Sequence, residues 1–482
     1  MGAPMSQWLP DNGSMGESGA CWDLLMGVFA DPGMRRIFSE EATIGAWLAA
    51  ERALARAEAR AGVITPEEAA AIAGGAELSR VDRESLWEET RNVGYPILPL
   101  VRLVAAKLPE GPNGRVHFGA TTQDIMDTGL ALQLTSAVDH LTGLVQSFGD
   151  ALSILVERHS GTVMAGRTHA QQAVPTTFGA KLAVELAECS RHRQRLAELR
   201  PRVALVSLYG AGGTSASLDG RGVEVRAHMA ELLRLGVDHV PWHVARDGVA
   251  EFGLCCGLLA ATAGRFAREV IELSRTEIGE VAEVGGHHRG ASSTMPQKRN
   301  PISSEVVVGM AGVADALASG LLAAMRPTHE RSAGEWQMEW VLVPEVAQLA
   351  AGALRNATEV AAGLRVFPER MAANLLADGG LLLAEAYMMR LAPTLGRERA
   401  HDLVYEAVNA TRATGATLVD ALRSLLGQSE GTQDAAAMVE LEAKDYVGDV
   451  ALTCEEAVAR WRAGSQSTAR PDDKEMGSVG DR

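Results

Sequence analysis

Apolar residues recur at three- and four-residue spacing along most of this chain, and a pattern of that period gathers on one face only in an α-helix. The runs cover Ala46 to Ala61, Leu130 to Glu157, Ala180 to Leu199, Val249 to Ile278, Ile302 to Met325 and Val341 to Leu364. Several exceed ordinary globular length. Helices this long bury their apolar faces most readily against one another, in a bundle. No segment shows convincing two-residue alternation between turn signals, so a substantial sheet is not expected. The fold class expected is all-α.

Polar or Gly/Pro-rich stretches interrupt the helices near Leu108 to Gly119 and near Arg365 to Arg370. They predict three helical domains: an N-terminal one over 21–116, a central long-helix bundle over 117–364 and a C-terminal one over 365–463. A flexible tail over 1–20 and a disordered, polar one over 464–482 flank them. Val306 to Met325 is about the length that spans a bilayer, but Asp315 sits near its middle and Gly, Ala and Ser are frequent. It reads as a fully buried core helix rather than a membrane span. A helix apolar all round must be covered on every side, most easily by neighbouring subunits, so a homo-oligomer is expected.

A chain of 482 residues, 47% hydrophobic and 22% charged, can bury large cores. Its formal charge of −16 argues against nucleic acid or an anionic membrane as partner. Cys21, Cys189, Cys255, Cys256 and Cys454 form no CxxC and no zinc spacing, which points to a reducing cytoplasm. The first residues lack the basic and apolar regions of a signal peptide.

Four stretches have a composition unlike core or ordinary surface. Gly119 to Gly129, GATTQDIMDTG, sets Thr121, Thr122, Gln123 and Asp124 side by side, as helix-capping residues or as ligands. Gly166 to Gly179 places Thr168 and His169 just before a long helix. Gly290 to Pro301, GASSTMPQKRNP, combines small residues, the hydroxyls of Ser292 and Ser293, the cation of Lys298 and the amide of Asn300, a set suited to anions. Five residues later Glu305 enters a helix that otherwise reads as buried, where a carboxylate needs a partner such as histidine. Thr328 to Trp340, THERSAGEWQMEW, contains Arg331, whose guanidinium suits a bidentate grip on a carboxylate. Adjacent His287 and His288 lack a carboxylate at ligand spacing, so no metal is expected. GAGGT at Gly210 lacks dinucleotide-binding spacing and reads as close helix packing; no cofactor is expected.

Taken together, these residues resemble the fumarase/aspartase superfamily, whose signature has the form GSSxMPxKxNxxxxE. Here it runs from Ala291, at the signature's glycine position, through Ser292, Ser293, Met295, Pro296, Lys298 and Asn300 to Glu305. The resemblance spans about Trp22 to Arg462, and GATTQD, GRTH, YGAGGTSASL, WHVARD and HERSAGEW look most like the 3-carboxy-cis,cis-muconate cycloisomerase branch. It implies a lyase that removes a proton beside a carboxylate and expels a group from the neighbouring carbon, or the reverse addition. It also implies a tetramer whose sites combine loops from different subunits.

Carried over residue by residue, Ser292 would be the general base in a loop that closes over substrate. Lys298 and Asn300 would stabilise the aci-carboxylate, the dianion left by proton removal. His169, paired with Glu305, would orient substrate or protonate the leaving group. Thr121, Thr122, Gln123, Thr168, Ser293, Arg246 and Arg331 would bind the small dicarboxylate. In that branch the signature usually reads MPHKRNP, whereas this chain has Gln297 at the histidine position. Nitrite leaves without needing a proton, so a site with fewer acids suits nitrosuccinate, which gives nitrite and fumarate. Nitrosuccinate is the substrate expected, in keeping with an Ala-, Arg- and Gly-rich chain of actinomycete type. The alternatives are the cycloisomerase reaction, an adenylosuccinate-lyase-like activity and an inactive helical oligomer.

Overall fold

Four of the early helices start where a short polar side chain can take up an unpaired backbone N–H. The computed structural model describes residues 27–284, 290, 294–295, 297–331, 334–428 and 439–467. Asp31 accepts from Met34 N at 2.7 Å to open α1 (Pro32–Ile37). Ser39 accepts from Ala42 N to open α2 (Glu40–Arg60). Thr65 and Glu68 form a reciprocal capping box on α3 (Pro66–Gly75), and Asp82 caps α4 (Arg83–Val93). After α5 (Ile97–Ala105) comes α6 (Thr122–Arg158), whose 37 residues extend about 55 Å.

The chain then departs from helix. Strands β1 (Val163–Thr168) and β2 (Gln171–Thr177) form an antiparallel hairpin, followed directly by α7 (Phe178–Val203). Helices α8 (Gly222–Leu233) and α9 (Asp247–Leu273) precede a short strand β3 (Val281–Ala282). Next are α10 (Ile302–Ala324), α11 (Glu335–Gly363) and β4 (Arg365–Val366), which pairs with β3. The chain continues with α12 (Pro368–Leu375), α13 (Ala384–Leu395), α14 (Arg397–Thr414), α15 (Leu418–Gly427) and α16 (Val450–Ser467). Two two-stranded sheets are therefore the only ones among the described residues, and the all-α class holds.

Internal contacts divide the chain into two compact units, each drawn from three separate stretches. One comprises Met1–Thr142, Arg195–Ala261 and Gly309–Ala353; the other comprises Gly143–Gln194, Thr262–Val308 and Leu354–Arg482. Boundaries fall inside α6, α7, α9, α10 and α11, because helices this long outrun a single core. In the first unit α2 packs against α3 and α8, burying Leu48, Leu54, Ile72, Leu100 and Met229. In the second, α13, α14 and α15 enclose Tyr387, Leu391, Leu418 and Leu422.

Helix α10 is apolar along its length, as expected, and in the single chain part of it is open. Only 33% of its most apolar stretch is buried, against 72% for α9, and Val313 and Leu322 are exposed. In the single chain it is a partly open apolar helix, not a fully buried one.

Within the first core, Glu58 is buried with neither carboxyl oxygen partnered among the described residues. Burial, with the charge of Glu51 and against that of Arg115, pushes its carboxyl up to about 9. The fold thus favours protonated Glu58, while the unfolded chain ionises near 4.5. Stability from this group is full below that lower value and declines as pH rises toward 9, the loss reaching about 3 kcal/mol at pH 7. Glu58→Met is expected to raise stability at pH 7 by roughly 1–3 kcal/mol, with a smaller gain at pH 5. Denaturant unfolding at pH 5, 7 and 8.5 measures it; a gain independent of pH would refute the titration.

Candidate active site

In the first unit, α6 begins within the GATTQD stretch because Asp124 turns back on its own N-terminus. Its Oδ2 accepts from Thr121 N at 2.9 Å, so the capping reading is correct for Asp124. The same carboxylate also accepts from Gly210 N at 2.9 Å, Tyr209 N at 2.8 Å, Ser207 Oγ at 3.3 Å and His243 Nε2 at 2.7 Å. Burial pushes this carboxyl up, but the hydrogen bond and charge of His243 and the backbone N–H groups outweigh it and hold it below the usual range. Asp124 is thus an ionised, fully buried knot.

The GAGGT stretch is one of the loops it ties, not a helix-packing motif. Gly210 and Gly213 have φ of +72° and +78°, Ser215 is left-handed, and Ser217 Oγ donates to Gly119 O at 2.9 Å. The glycines therefore let this loop lie against the turn that carries Thr121 and Thr122. Both threonines are half-buried, and neither hydroxyl has a partner among the described residues.

Gln123 is 1% exposed and both ends of its amide are engaged. Nε2 donates to His243 O at 2.8 Å, and Oε1 accepts from Arg331 Nε at 2.8 Å. With Nε committed, Arg331 keeps its two Nη groups, and Nη2 has no partner among the described residues although it is buried. An unpaired buried donor of this kind is costly unless something fills it. A carboxylate would. Gln123, expected to touch substrate, instead holds the arginine that can.

Arg246 also differs from expectation. It is 2% exposed and bonds Asp127 through Nη1 and Nη2, at 2.8 and 3.1 Å, and Glu339 through Nε and Nη2, at 2.9 and 2.5 Å. Burial works against its charge, but the two carboxylates more than offset that and hold it ionised. It fixes α6 to α11 from within the first unit and presents no free edge to a substrate.

In the second unit, Thr168 and His169 occupy the hairpin tip rather than a helix entrance. His169 and Ala170 have φ of +49° and +62°, the mirror-image two-residue turn usual for hairpins but uncommon without glycine or asparagine. Its base is fixed by Arg167, which grips buried Glu280 at 2.7 and 3.0 Å, while Asn374 Nδ2 donates to the same Glu280 at 2.8 Å. Thr168 and His169 are exposed, with no side-chain partner among the described residues. Glu305 is exposed too in the single chain, and its carboxylate has no histidine partner among the described residues. Its helix is half-covered, which leaves that side chain in the open.

The neck of the signature loop is built with care. Asn300 N donates to Gly290 O at 3.0 Å, and a Cβ on Gly290 would lie 2.6 Å from Asn300 O, at a φ of +69° that also demands glycine. Just before the loop, Glu283 accepts from Ser304 N and Oγ, at 2.7 and 2.6 Å, and so caps α10. Lys298 is exposed and Asn300 half-buried. Ser292, Ser293, His287 and His288 lie outside the described residues.

Tyr209, His243 and Glu280 are not singled out by the sequence, and Asp124 is, but only as a capping residue or ligand. A carboxylate within GATTQD and the histidine of WHVARD were both visible, but nothing in the string joins positions 119 residues apart.

The family model described as Lyase matches residues 26–314. 3-Carboxy-cis,cis-muconate cycloisomerase of Pseudomonas aeruginosa is 41% identical over 89% of this chain and 94% of its own. N-acetyl-S-(2-succino)cysteine lyase of Dickeya dadantii is 36% identical over 78% of this chain and 83% of its own. The crystal structure of 3-carboxy-cis,cis-muconate lactonizing enzyme from Pseudomonas putida aligns with a TM-score of 0.85 at 38% identity, covering 92% of this chain and 100% of that one. With the signature loop, the helical fold and a match over more than half its length, the chain belongs to the fumarase/aspartase superfamily of lyases.

Proposed function

We propose that this enzyme makes or breaks a bond at the carbon beta to a substrate carboxylate, through an aci-carboxylate, and that its first substrate is 3-carboxy-cis,cis-muconate. The observation that carries the carboxylate is Arg331, its Nε fixed by buried Gln123 and its Nη2 without a partner among the described residues. Thr121 and Thr122 hydroxyls supply further donors. In the lactonising direction a substrate carboxylate oxygen adds to the alkene, and a proton is delivered to the neighbouring carbon. In the eliminating direction Ser292 removes that proton and Lys298 and Asn300 stabilise the charge, with His169 and Glu305 at the leaving group. The cycloisomerase relatives support the choice of substrate.

Gln297 favours a second reading. An exposed amide stands at the position where the branch usually has imidazole. An amide does not donate a proton at neutral pH, which nitrite does not require. Nitrosuccinate, yielding nitrite and fumarate, is therefore the second substrate. The open apolar side of α10 supports a homo-oligomer, in our reading a tetramer with shared sites. Cys189, Cys255, Cys256 and Cys454 are free and buried, in keeping with a cytoplasmic home.

The test is to incubate purified protein separately with both substrates, following lactone by NMR in one and nitrite with fumarate in the other. Lactone formation is the expected result. Equal release of nitrite and fumarate instead assigns the second reading. Failure of both, with no turnover of other substituted succinates, removes the proposed chemistry.

A further inference from the structure

His243 sits where two branches of hydrogen bonding meet, and each branch ends on a group left open to a ligand. The side-chain branch runs from Nε2 to Asp124 Oδ1 at 2.7 Å, then from Oδ2 to Thr121 N at 2.9 Å. It ends at the hydroxyls of Thr121 and Thr122, which have no partner among the described residues. The main-chain branch runs from His243 O to Gln123 Nε2 at 2.8 Å, and from Gln123 Oε1 to Arg331 Nε at 2.8 Å. It ends at Arg331 Nη2, buried and without a partner among the described residues.

We propose that His243 is a positioning residue for substrate-carboxylate binding, orienting Arg331 through Gln123 and the Thr121–Thr122 turn through Asp124. The inference rests on the proposed function, since it names what sets that site's grip. Asp124 is ionised and therefore accepts, so the ring nitrogen facing it carries the proton. Gln123 has no freedom to flip: its N–H must face a carbonyl and its oxygen a guanidinium. The imidazole is 4% exposed, with the Tyr209 ring edge-on at 5.6 Å, and packing holds it in one orientation. A shift of this residue would move both ends of the clamp together, and small misplacements of a binding group are costly.

The full-length protein is tested as His243→Leu, His243→Gln and Gln123→Met. Fumarate binding is read by calorimetry, KM and kcat on the substrate that wild type turns over, and folding by circular dichroism and oligomer mass. His243→Leu and Gln123→Met are expected to weaken fumarate and raise KM by about tenfold or more, with kcat within about fivefold, as for lost uniform binding. His243→Gln is expected to return both to within about threefold, because its amide N–H can still donate to Asp124. A purely structural histidine would lower melting temperature without this split. Fumarate affinity and KM unchanged in folded His243→Leu and Gln123→Met would overturn the proposal. So would His243→Gln restoring melting temperature but not affinity. Should His243→Leu fail to fold, His243→Phe, which keeps a packed ring but cannot donate to Asp124, decides in its place. Wild type that neither binds fumarate nor turns over any substituted succinate would instead defeat the proposed function.

Discussion

Arg331→Lys is expected to lower kcat/KM by about 10²–10³-fold while leaving the fold intact. Arginine can spend Nε on Gln123 and still offer two Nη groups to a carboxylate; an ammonium that donates to Gln123 has no planar pair left. Losing a charge-assisted bidentate contact corresponds to about 3–4 kcal/mol, which is that range in rate. Because the arginine is only half-buried and its outer nitrogens bond nothing else described, the melting temperature should move by no more than a few degrees. Steady-state kinetics on the substrate identified above, beside a thermal melt, is the measurement. A change under threefold would show that the substrate carboxylate is held elsewhere.

Ser292→Ala should lower kcat by about 10³-fold or more with KM and oligomer mass unchanged. On the proposed role of Ser292, the base acts only as the proton leaves, so removing it costs the transition state and not the ground state. A serine alkoxide needs water kept away and donors placed around it. Gly290 and Asn300 are tied by a backbone hydrogen bond, and Glu283 caps α10 just after them. Deuterium uptake at the substrate carbon separates the step from product release: it should vanish in the variant. Uptake at the wild-type rate would place the base on another residue.

The long helices were legible because a three-to-four-residue period is a property of neighbours in sequence. The run from Leu130 to Glu157 lies inside α6, and Ile302 to Met325 matches α10 to within one residue. The β1–β2 hairpin was not legible. VMAGRT and QQAVPTT carry no clean alternation, and His169-Ala170 is a poor turn dipeptide, so local preference pointed away from it. Arg167 gripping Glu280, with Asn374 behind, overrides that preference through contacts more than 90 residues apart.

The same division runs through the site. Arg331, Lys298, Asn300 and the threonines stood out by composition, and the sequence by itself determined the superfamily, the helical class and the set of groups available to handle a carboxylate. Only the tertiary structure decided which of those groups are free. It committed Arg246 to Asp127 and Glu339, turned Gln123 into a support for Arg331, and left Glu305 exposed. The reason is physical: residue type sets what a side chain can donate or accept, whereas burial and partners brought from distant segments set what remains to be donated.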